Sequence, residues 1–397
     1  MGANSSHGPI LSKTVYDKEN NGLRIGVCEM QGWRRTMEDA SIAVSQFGPD
    51  NTSLFGIFDG HGGGVVSNFV ATNLKNVLVN HPSFKTKKYE QALIESFLKF
   101  DEFLKNKEVN EFLVKEQNCI SETVKINTET KSPLLENRNQ NSIVLKYQGD
   151  CIEINESESS NNNNNENNYN STSADGDELN NTDQSEYYPH SEKDDSNYQI
   201  AREMGTTANV VLLTKNHIYI SNVGDSLSVM FKNGTAVKLN QEHKTTLRSE
   251  YERIQKSGGH IYNNRIEGKL NLTRAIGDLI FKSQPGLKFY EQSVTAFPEI
   301  TKIKRTDDIS FIVMACDGVW DCVEEQGFCE EIEKNIRMNP KKKLSDIIAE
   351  IFDKLVSKTN NIPIGTDNMS CIIVQFVNSN DKYINNSNEI KRSVVED

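Results

Sequence analysis

The chain has 397 residues, and its 44 basic and 56 acidic side chains give a formal net charge of −12 at pH 7. Its longest apolar stretches are far shorter than the roughly 18 residues that suggest a membrane-spanning helix, so the composition excludes an integral membrane protein. The acidic balance argues against general nucleic-acid binding. The first residues lack the basic and apolar regions of a secretory signal, and the 7 cysteines follow no paired framework, so we expect a reducing compartment.

The net charge is concentrated in one segment of the chain. Residues 150–199 contain 13 acidic residues and one basic residue, Lys193, so the rest of the chain is neutral. The segment is rich in asparagine and poor in branched apolar residues, and it cannot bury enough apolar surface to offset the entropy that ordering costs. The sequence therefore predicts that it is disordered. The preceding stretch, 106–149, includes apolar residues at 112–114, and we expect it to begin as an extension of a helix.

These shifts in composition divide the chain into four parts. A flexible N-terminus covers residues 1–21, and a flexible C-terminal tail covers residues 379–397. Residues 22–105 and 200–378 together form a single folded domain, whose size lies within the range of one hydrophobic core. Residues 106–199 form an insert in that domain, and its second half is the acidic, low-complexity segment.

The hydrophobic periodicity predicts the strands and helices of the folded domain. Short apolar runs with β-branched or aromatic residues predict strands at 23–30, 41–47, 54–58, 208–213, 217–223, 227–231, 310–315 and 369–377. Apolar residues at helical spacing predict helices at 65–79, 91–104, 324–336 and 344–355. The short links at 215–216 and 225–226 predict antiparallel hairpins. The simplest architecture is therefore sheets sandwiched by helices.

Four aspartates lie beside predicted strands. Asp59, Asp225 and Asp317 each follow a strand-like run, and Asp367 precedes another. Carboxylates that converge at the rim of a sheet repel each other and need a cation, and oxygen-only ligands fit Mg²⁺ or Mn²⁺ better than zinc. An aspartate shared by two ions indicates a binuclear centre that makes a nucleophile from water. A single Asp-Gly step is more often an ordinary turn, but the four placements together favour a metal site.

Two further side chains would complete a hydrolase of phosphate esters. Arg34 has a planar guanidinium suited to grip a phosphate, although such an arginine is also common as a surface ion pair. His61 lies two residues after Asp59 and is placed to donate a proton to a leaving alkoxide, although a lone histidine is more often a hydrogen-bonded turn residue.

Seven strings, in this order, resemble the motifs of the metal-dependent type 2C protein serine/threonine phosphatases. They are GWRRTMEDA (32–40), FGIFDGHGG (55–63), GTTAN (205–209), SNVGDS (221–226), TRAIGD (273–278), ACDGVWD (315–321) and GTDNMS (365–370). The resemblance spans about residues 22–377 and is interrupted only by the insert. It implies an α+β fold, an α-β-β-α sandwich of two mainly antiparallel sheets flanked by helices, with a binuclear metal site at one end.

The resemblance also implies which residues bind the two Mg²⁺ or Mn²⁺ ions. By position, Asp59 resembles the ligand that bridges both ions, and the carbonyl of Gly60 lies beside it. Asp317 and Asp367 resemble the remaining direct ligands.

Other acids resemble groups that act around those ions. Glu38 and Asp39 resemble the acids that hold metal-bound waters. Asp225, together with Asp317 or Asp321, resembles a third, weaker metal site found in parts of the family.

The implied reaction is one-step hydrolysis of phosphoserine and phosphothreonine in substrate phosphoproteins. The metals and Arg34 bind the phosphoryl oxygens, a metal-activated bridging water attacks phosphorus, and His61 protonates the leaving oxygen, so no phospho-enzyme forms. One alternative is a catalytically weak scaffold that binds phosphoproteins, but such relatives usually lack metal-site acids. Another is a cysteine phosphatase, because Cys28 and Arg34 have its C-x5-R spacing, but the bulky Trp33 and the late Gly32 argue against it.

The first six residues, MGANSS, fit the acceptor pattern for N-myristoylation at Gly2. Some members of the resembled family also begin Met-Gly and are acylated. One acyl chain anchors a protein only weakly, and Lys13 and Lys18 are the only basic residues before residue 20. We therefore expect a cytoplasmic protein that contacts membranes partly and reversibly through Gly2.

Overall fold

The fold is built from short strands and amphipathic helices that occur in groups along the chain. The computed structural model describes residues 8–20, 22–48, 52–130, 143–148, 151–156 and 199–377. The strands are β1 (Ile10–Asn20), β2 (Leu23–Gly32), β3 (Ala40–Phe47), β4 (Thr52–Phe58), β5 (Gly60–His61), β6 (Ile143–Gln148), β7 (Cys151–Glu156), β8 (Gly205–Thr206), β9 (Ala208–Leu213), β10 (His217–Val223), β11 (Leu227–Lys232), β12 (Thr235–Lys238), β13 (Ile261–Tyr262), β14 (Arg265–Ile266), β15 (Ile276–Gly277), β16 (Glu299–Lys304), β17 (Ile309–Ala315) and β18 (Met369–Phe376). The helices are α1 (Val65–Asn80), α2 (Pro82–Lys85), α3 (Tyr89–Lys105), α4 (Lys107–Thr130), α5 (Gln199–Glu203), α6 (Arg248–Lys256), α7 (Asp317–Trp320), α8 (Glu325–Met338) and α9 (Leu344–Leu355).

Two antiparallel sheets form the centre of the fold. One has the strand order β1-β2-β18-β17-β11-β12, and the other has the order β16-β10-β9-β4-β3. Helices α8 and α9 pack against the first sheet, and α1 and α3 pack against the second. The arrangement is the predicted α-β-β-α sandwich and confirms the α+β fold class.

The residues of β4 show how one apolar run contributes to two layers. Phe55 and Ile57 belong to the apolar cluster formed with the first sheet, whereas Leu54 and Phe58 belong to the cluster formed with α1 and α3. All four are fully buried, because successive side chains of a strand point to opposite faces and both faces of β4 are covered. Each buried side chain of this kind contributes about 1.5–3 kcal/mol.

Each strand and helix predicted from the periodicity is present, with bounds that differ by a few residues. The link at 215–216 joins β9 and β10, which pair as an antiparallel hairpin. The hairpin predicted at 225–226 is wrong, because β10 pairs within the second sheet and β11 pairs within the first. The link therefore crosses between the sheets at one end of the sandwich. Both strands are almost fully buried, so their apolar pattern does not reveal which sheet each one joins.

The ordered chain begins before the predicted boundary at residue 22. The sequence predicts a flexible segment there, but Ile10–Asn20 forms the edge strand β1, which pairs with β2. Asp17 accepts a hydrogen bond from the backbone N–H of Ser345, and Lys13 forms an ion pair with Asp353 at 2.6 Å. Since most of β1 is exposed, ladder hydrogen bonds and polar contacts hold it, and hydrophobic periodicity gives little sign of it.

The beginning of the insert also differs from the prediction, because α4 is a separate helix and not an extension of α3. The break lies at Asn106, which has extended backbone angles. Its side-chain oxygen accepts hydrogen bonds from the N–H groups of Glu108 and Val109 at 2.9 and 3.2 Å, as an N-cap residue does. Val109 and Leu113 are buried in the cluster with α1 and α3. The first turns of α4 therefore belong to the folded domain.

Several predictions fall outside the described residues. These include acylation at Gly2, disorder over 157–198 and the flexible tail at 379–397. The prediction of disorder over 150–199 is wrong at residues 151–156, which form β7 and pair with β6 through ladder hydrogen bonds. Among the helices of the described part of the chain, none is long and apolar enough to cross a membrane.

Candidate metal centre and active site

Carboxylates from both sheets meet at one end of the sandwich. Asp59 directly follows β4, and Asp317 follows β17 and begins α7. Asp225 lies on the link between β10 and β11, where the chain crosses from one sheet to the other. The crossing that sequence periodicity misses is therefore the feature that brings Asp225 to the other two aspartates.

Carboxylate oxygens of Asp59, Asp225 and Asp317 lie within 4.8 Å of one another. Burial, together with repulsion from the neighbouring acids, raises the pKa of Asp59 and of Asp317 well above the ordinary range. Burial also raises the pKa of Asp225 to about 6, although Lys244 opposes this shift. Buried carboxylates that repel one another are costly unless a cation neutralises them.

Asp225 gives the clearest sign of the kind of ligand that this cluster suits. Both of its carboxylate oxygens are buried and lack a hydrogen-bond partner within the described part of the chain. The ammonium of Lys244 lies 3.7 Å from one of them, which is too far for a hydrogen bond. Buried polar side-chain atoms rarely lack partners, so these oxygens are suited to coordinate a cation. A donor set made of carboxylate oxygens fits Mg²⁺ or Mn²⁺.

Asp39 extends the cluster on the other side of Asp59. A carboxylate oxygen of each and the sulfur of Cys316 lie within 4.8 Å of one another. Asp39 accepts a hydrogen bond from the hydroxyl of Ser370 at 2.7 Å, and burial raises the pKa of Asp39 to about 7 against the effect of that bond. Burial also raises the pKa of the Cys316 thiol well above its ordinary range. The structure therefore favours a protonated thiol at Cys316 and an oxygen site for a hard cation.

Arg34 and Asp367 form an ion pair beside the cluster. The guanidinium Nη2 of Arg34 donates a short hydrogen bond to Oδ2 of Asp367. Burial alone would lower the pKa of Arg34, but Asp367 and, more weakly, Asp59 and Asp317 raise it. The side chain of Arg34 is 54% exposed, so part of the guanidinium faces solvent. Asp367 belongs to neither group of possible metal ligands found among the described residues. The structure pairs it with Arg34 instead.

Asn368 holds the loop of residues 33–38 against the start of β18. Its Oδ1 accepts a hydrogen bond from the N–H of Glu38 at 2.9 Å. Its Nδ2 donates to the carbonyls of Gln31 and Thr36 at 2.8 and 3.1 Å. The carboxylate of Glu38 accepts a hydrogen bond from the hydroxyl of Thr36 at 2.8 Å and is not part of the aspartate cluster.

The glycine after Asp317 allows a close approach of two chain segments. A Cβ on Gly318 would lie 2.0 Å from the carbonyl oxygen of Asn368. Gly60, after Asp59, has the same constraint, because a Cβ there would lie 2.3 Å from a carbonyl oxygen of the 33–38 loop. Asp321 is the C-cap residue that follows α7, and desolvation of its carboxylate raises its pKa.

His61 pairs with an acid from a distant part of the sequence. The short strands β5, β8 and β15 form a three-stranded sheet next to the aspartate cluster. Nε2 of His61 lies 2.7 Å from Oδ2 of Asp278, which directly follows β15 and is 2% exposed. Burial opposes a charge on His61, but the charge of Asp278 and this hydrogen bond outweigh it and raise the pKa of His61.

The sequence does not assign three residues that the structure brings to the site: Lys244, Asp278 and Asn368. Asp278 and Asn368 lie in the strings TRAIGD and GTDNMS, so a motif signal existed, but their partners become visible only when distant strands pair. Lys244 lies in none of the quoted motifs.

Comparison with known proteins identifies the class of this fold and site. A family model described as protein phosphatase 2C matches residues 23–130 and 135–361. The chain is 33% identical over 374 residues to probable protein phosphatase 2C 21 of Arabidopsis thaliana, an alignment that covers 94% of this chain and 92% of the relative. It is 31% identical to probable protein phosphatase 2C 3 of Paramecium tetraurelia, over 92% of this chain and 98% of the relative.

A solved structure shares the fold. The serine-threonine phosphatase 2C from Toxoplasma gondii superposes with a TM-score of 0.53 at 15% identity, over 92% of this chain and 99% of that chain. This structural match shows the fold, and the sequence matches show the family. The chain belongs to the protein phosphatase 2C family, and membership of that family implies protein serine/threonine phosphatase activity.

Proposed function

We propose that this chain hydrolyses phosphoserine and phosphothreonine in proteins and depends on divalent metal ions to do so. The observation that carries the proposal is the cluster of Asp59, Asp225 and Asp317 at the end of the sandwich, with oxygens within 4.8 Å of one another. Such a cluster has little use in a purely structural role, because burial and repulsion make it costly. Membership of the phosphatase family supports the same reading.

Two Mg²⁺ or Mn²⁺ ions would be held by Asp59, the carbonyl of Gly60, Asp317 and Asp367. When bound, these ions supply Lewis acidity toward the phosphoryl group and activate water as the nucleophile. Asp367 is paired with Arg34, so in this proposal it binds an ion and orients the guanidinium at the same time.

The remaining acids would act at the edge of the metal centre. Glu38 and Asp39 would orient waters on the ions. Asp225 and Asp321, with Asp317, would hold a third, weaker ion, and the unpartnered oxygens of Asp225 support this assignment.

The side chains of this protein supply binding and proton transfer. Arg34 would bind the phosphoryl oxygens with the exposed part of its guanidinium. His61 would give a proton to the leaving serine or threonine oxygen. No phospho-enzyme is needed, and Cys28 does not provide the nucleophile of a cysteine phosphatase, because it is buried in β2 and burial raises its pKa to about 12.

Hydrolysis of a phosphothreonine peptide by the full chain in Mg²⁺, Mn²⁺ or excess EDTA tests the proposal. We expect turnover with either metal, none in EDTA, and recovery when metal is restored. Asp59→Asn should be inactive, whereas Asp308→Asn, at an exposed ion pair with Lys232, should match the wild type. Robust turnover in EDTA contradicts the proposal. Binding of the phosphopeptide without turnover in either metal would identify a scaffold instead.

We also propose that phosphoproteins are the partners of the chain, and that a myristoyl group at Gly2 gives it weak, reversible membrane contact from the cytoplasm. This part of the proposal rests on the sequence pattern MGANSS, because Gly2 lies outside the described residues.

A further inference from the structure

We propose that Asp278 is a positioning residue for His61. Asp278 hydrogen-bonds Nε2 of the imidazole, so that Nδ1 faces the leaving oxygen of the substrate. The inference rests on the proposed phosphate-ester hydrolysis and adds a residue to its proton-transfer step. The contact that carries it is the 2.7 Å approach of Nε2 of His61 to Oδ2 of Asp278.

The three-stranded sheet has a glycine where a side chain would obstruct the contact between His61 and Asp278. Gly205 in β8 pairs with His61 on one side and with Gly277 on the other. A Cβ on Gly205 would lie 2.3 Å from Oδ2 of Asp278 and 2.8 Å from Nε2 of His61. A residue with any side chain at this position would therefore collide with both members of the pair.

Asp278 is itself held in place by its backbone and by the strand before it. It has a φ of +52°, a left-handed conformation that non-glycine residues keep only where surrounding contacts fix it. Its N–H donates to the carbonyl of Met204 at 3.0 Å. The N–H of Gly277 donates to Asp101 at 2.9 Å, and the other oxygen of Asp101 accepts from Lys282 at 2.6 Å.

The two side chains differ in their access to solvent. Asp278 is 2% exposed, whereas 26% of the His61 side chain is exposed. Among the side chains of the described residues, His61 is the one that hydrogen-bonds the carboxylate of Asp278, and it does so through Nε2 and not through Nδ1. The charge of Asp278 also reaches the buried ammonium of Lys282, but that group donates its hydrogen bond to Asp101.

This geometry defines the path of the proton. As the bond between phosphorus and the ester oxygen breaks, its electron pair goes to that oxygen, and the proton on Nδ1 of His61 passes to it. The ring that remains is neutral and keeps its hydrogen on Nε2, and this N–H donates a hydrogen bond to the carboxylate of Asp278. A ring held in this way can present only Nδ1 to the substrate.

Asp278→Asn tests the proposal, because it keeps the shape of the side chain and removes its charge. We expect kcat on a phosphothreonine peptide, whose alkoxide needs a proton, to fall about 10- to 100-fold. Turnover of p-nitrophenyl phosphate, whose leaving group needs no proton, should fall less than about threefold. Equal losses on the two substrates would overturn the inference.

Glu299→Gln is the matched control. Glu299 is the partner of a different histidine, the buried His243, whose Nε2 lies 3.2 Å from its carboxylate. Any loss of turnover that this variant shows should be the same for both substrates, because it does not act on protonation of the leaving group. A selective loss on the phosphopeptide here would mean that the assay reports general damage, and it would count against the inference.

A double variant shows whether Asp278 acts through His61. Adding Asp278→Asn to His61→Ala should cost no further turnover on the phosphopeptide, since the group that Asp278 positions is already absent. A further loss of about tenfold or more would show that Asp278 acts independently and would overturn the inference. A wild-type chain without metal-dependent turnover would instead remove the proposed function, so the two failures are distinguishable.

A measurement on the unaltered chain covers the case in which a variant does not fold or turnover is absent. In ¹⁵N-histidine spectra of the Mg²⁺-loaded protein, assigned by comparison with His61→Ala, we expect Nε2 of His61 to carry a hydrogen. A bare Nε2, with the hydrogen on Nδ1 alone, would contradict the contact with Asp278 on which the inference depends.

Discussion

Burial and repulsion act together on the carboxylates at the end of the sandwich. The pKa values of Asp59 and Asp317 are raised well above the ordinary range because burial disfavours their charge and because each lies close to other acids. Without a cation, these charges destabilise the folded chain. In the proposed metal centre the same charges would serve as ligands, so stability and catalysis would make opposite demands on each aspartate.

Asp317→Asn separates these two demands. The variant should raise the free energy of unfolding of the metal-free chain by about 1–3 kcal/mol, because it removes one of the repelling charges. It should also abolish metal-dependent turnover. Thermal unfolding with and without Mg²⁺ measures both effects, since Mg²⁺ should raise the melting temperature of the wild type more than that of the variant. Asp308→Asn, at an exposed ion pair, is the control, and a metal-free Asp317→Asn chain less stable than the wild type would contradict this account.

At the scale of elements, periodicity predicts the parts of the fold that depend on apolar burial. Each strand and helix predicted from the periodicity is of this kind and is found within a few residues of its predicted bounds, whereas the periodicity does not predict α4, α6 or β16 as separate elements. The exposed edge strand β1 is missed because polar contacts and ladder hydrogen bonds hold it. The two-residue strands β5, β8 and β15 are too short for any period, so the contact between His61 and Asp278 could not be predicted. Aspartates at the ends of long strands are visible in the sequence, but residues that meet through short strands are not.

The buried carboxylate of Glu250 on α6 forms hydrogen bonds within α6 and with residues 273 and 274. Glu250 is 1% exposed and accepts hydrogen bonds of 2.6 Å from Arg253, from Arg274 and from the hydroxyl of Thr273. Burial opposes its charge, but the bonds and charges of Arg274 and Arg253 prevail and lower the pKa of Glu250 to about 2. Because the pKa is lower in the folded chain, the carboxylate contributes stability above about pH 4.5, and this contribution is lost as the pH falls toward about 2.

Glu250→Gln should lower the free energy of unfolding at pH 7 by about 2–4 kcal/mol, because two guanidiniums with little solvent access lose their counter-charge. Urea denaturation of the variant and the wild type at pH 7 and pH 3 measures the effect, and the difference between them should shrink at pH 3. Glu252→Gln is the control, since Glu252 lies on the same helix but forms an exposed ion pair with Arg248. A difference that is the same at both pH values would show that the Glu250 carboxylate contributes no pH-dependent stability.

At the scale of the whole molecule, the net charge and the apolar core come from different parts of the chain. Residues 150–199 carry the whole net charge of −12, while the two sheets and their helices carry the core. The described chain resumes at α5, where Ala201 is fully buried. We therefore expect the residues that the folded domain requires to begin again close to residue 199.

Deleting residues 150–198, which include β7, and closing the gap with a short glycine-serine linker should leave metal-dependent turnover largely intact, because the removed sequence is poor in the branched apolar residues that form a core. Extending the deletion through Glu203 should destabilise the chain, since it removes the buried Ala201. Soluble yield, melting temperature and peptide turnover of the two deletion variants measure the difference. Loss of folded protein in the shorter deletion would show that the acidic segment supports the fold.

Gly2→Ala should shift the protein from membranes to the soluble fraction without changing turnover on a soluble phosphopeptide. Acyl transfer requires a glycine at this position, and alanine does not replace it. Because one acyl chain is a weak anchor, the wild type should itself be partly soluble. Fractionation of both proteins, with mass spectra after co-expression with a myristoyltransferase, measures the effect. Identical fractionation and no acyl group on the wild type would remove the anchor and leave the phosphatase proposal unaffected.

The most direct test of the central claim is to count the Mn²⁺ ions bound by the carboxylate cluster. Electron paramagnetic resonance of free Mn²⁺ during titration gives the number and affinity of sites on the full chain. We predict two tight sites on the wild type, and we predict that Asp59→Asn loses both, because in the proposed centre Asp59 would be a ligand of both ions. Asp308→Asn is the control, because Asp308 forms an exposed ion pair with Lys232 and is not a proposed metal ligand. This variant should bind Mn²⁺ as the wild type does. A wild type that binds no Mn²⁺, or an Asp59→Asn variant that binds it unchanged, would contradict the account.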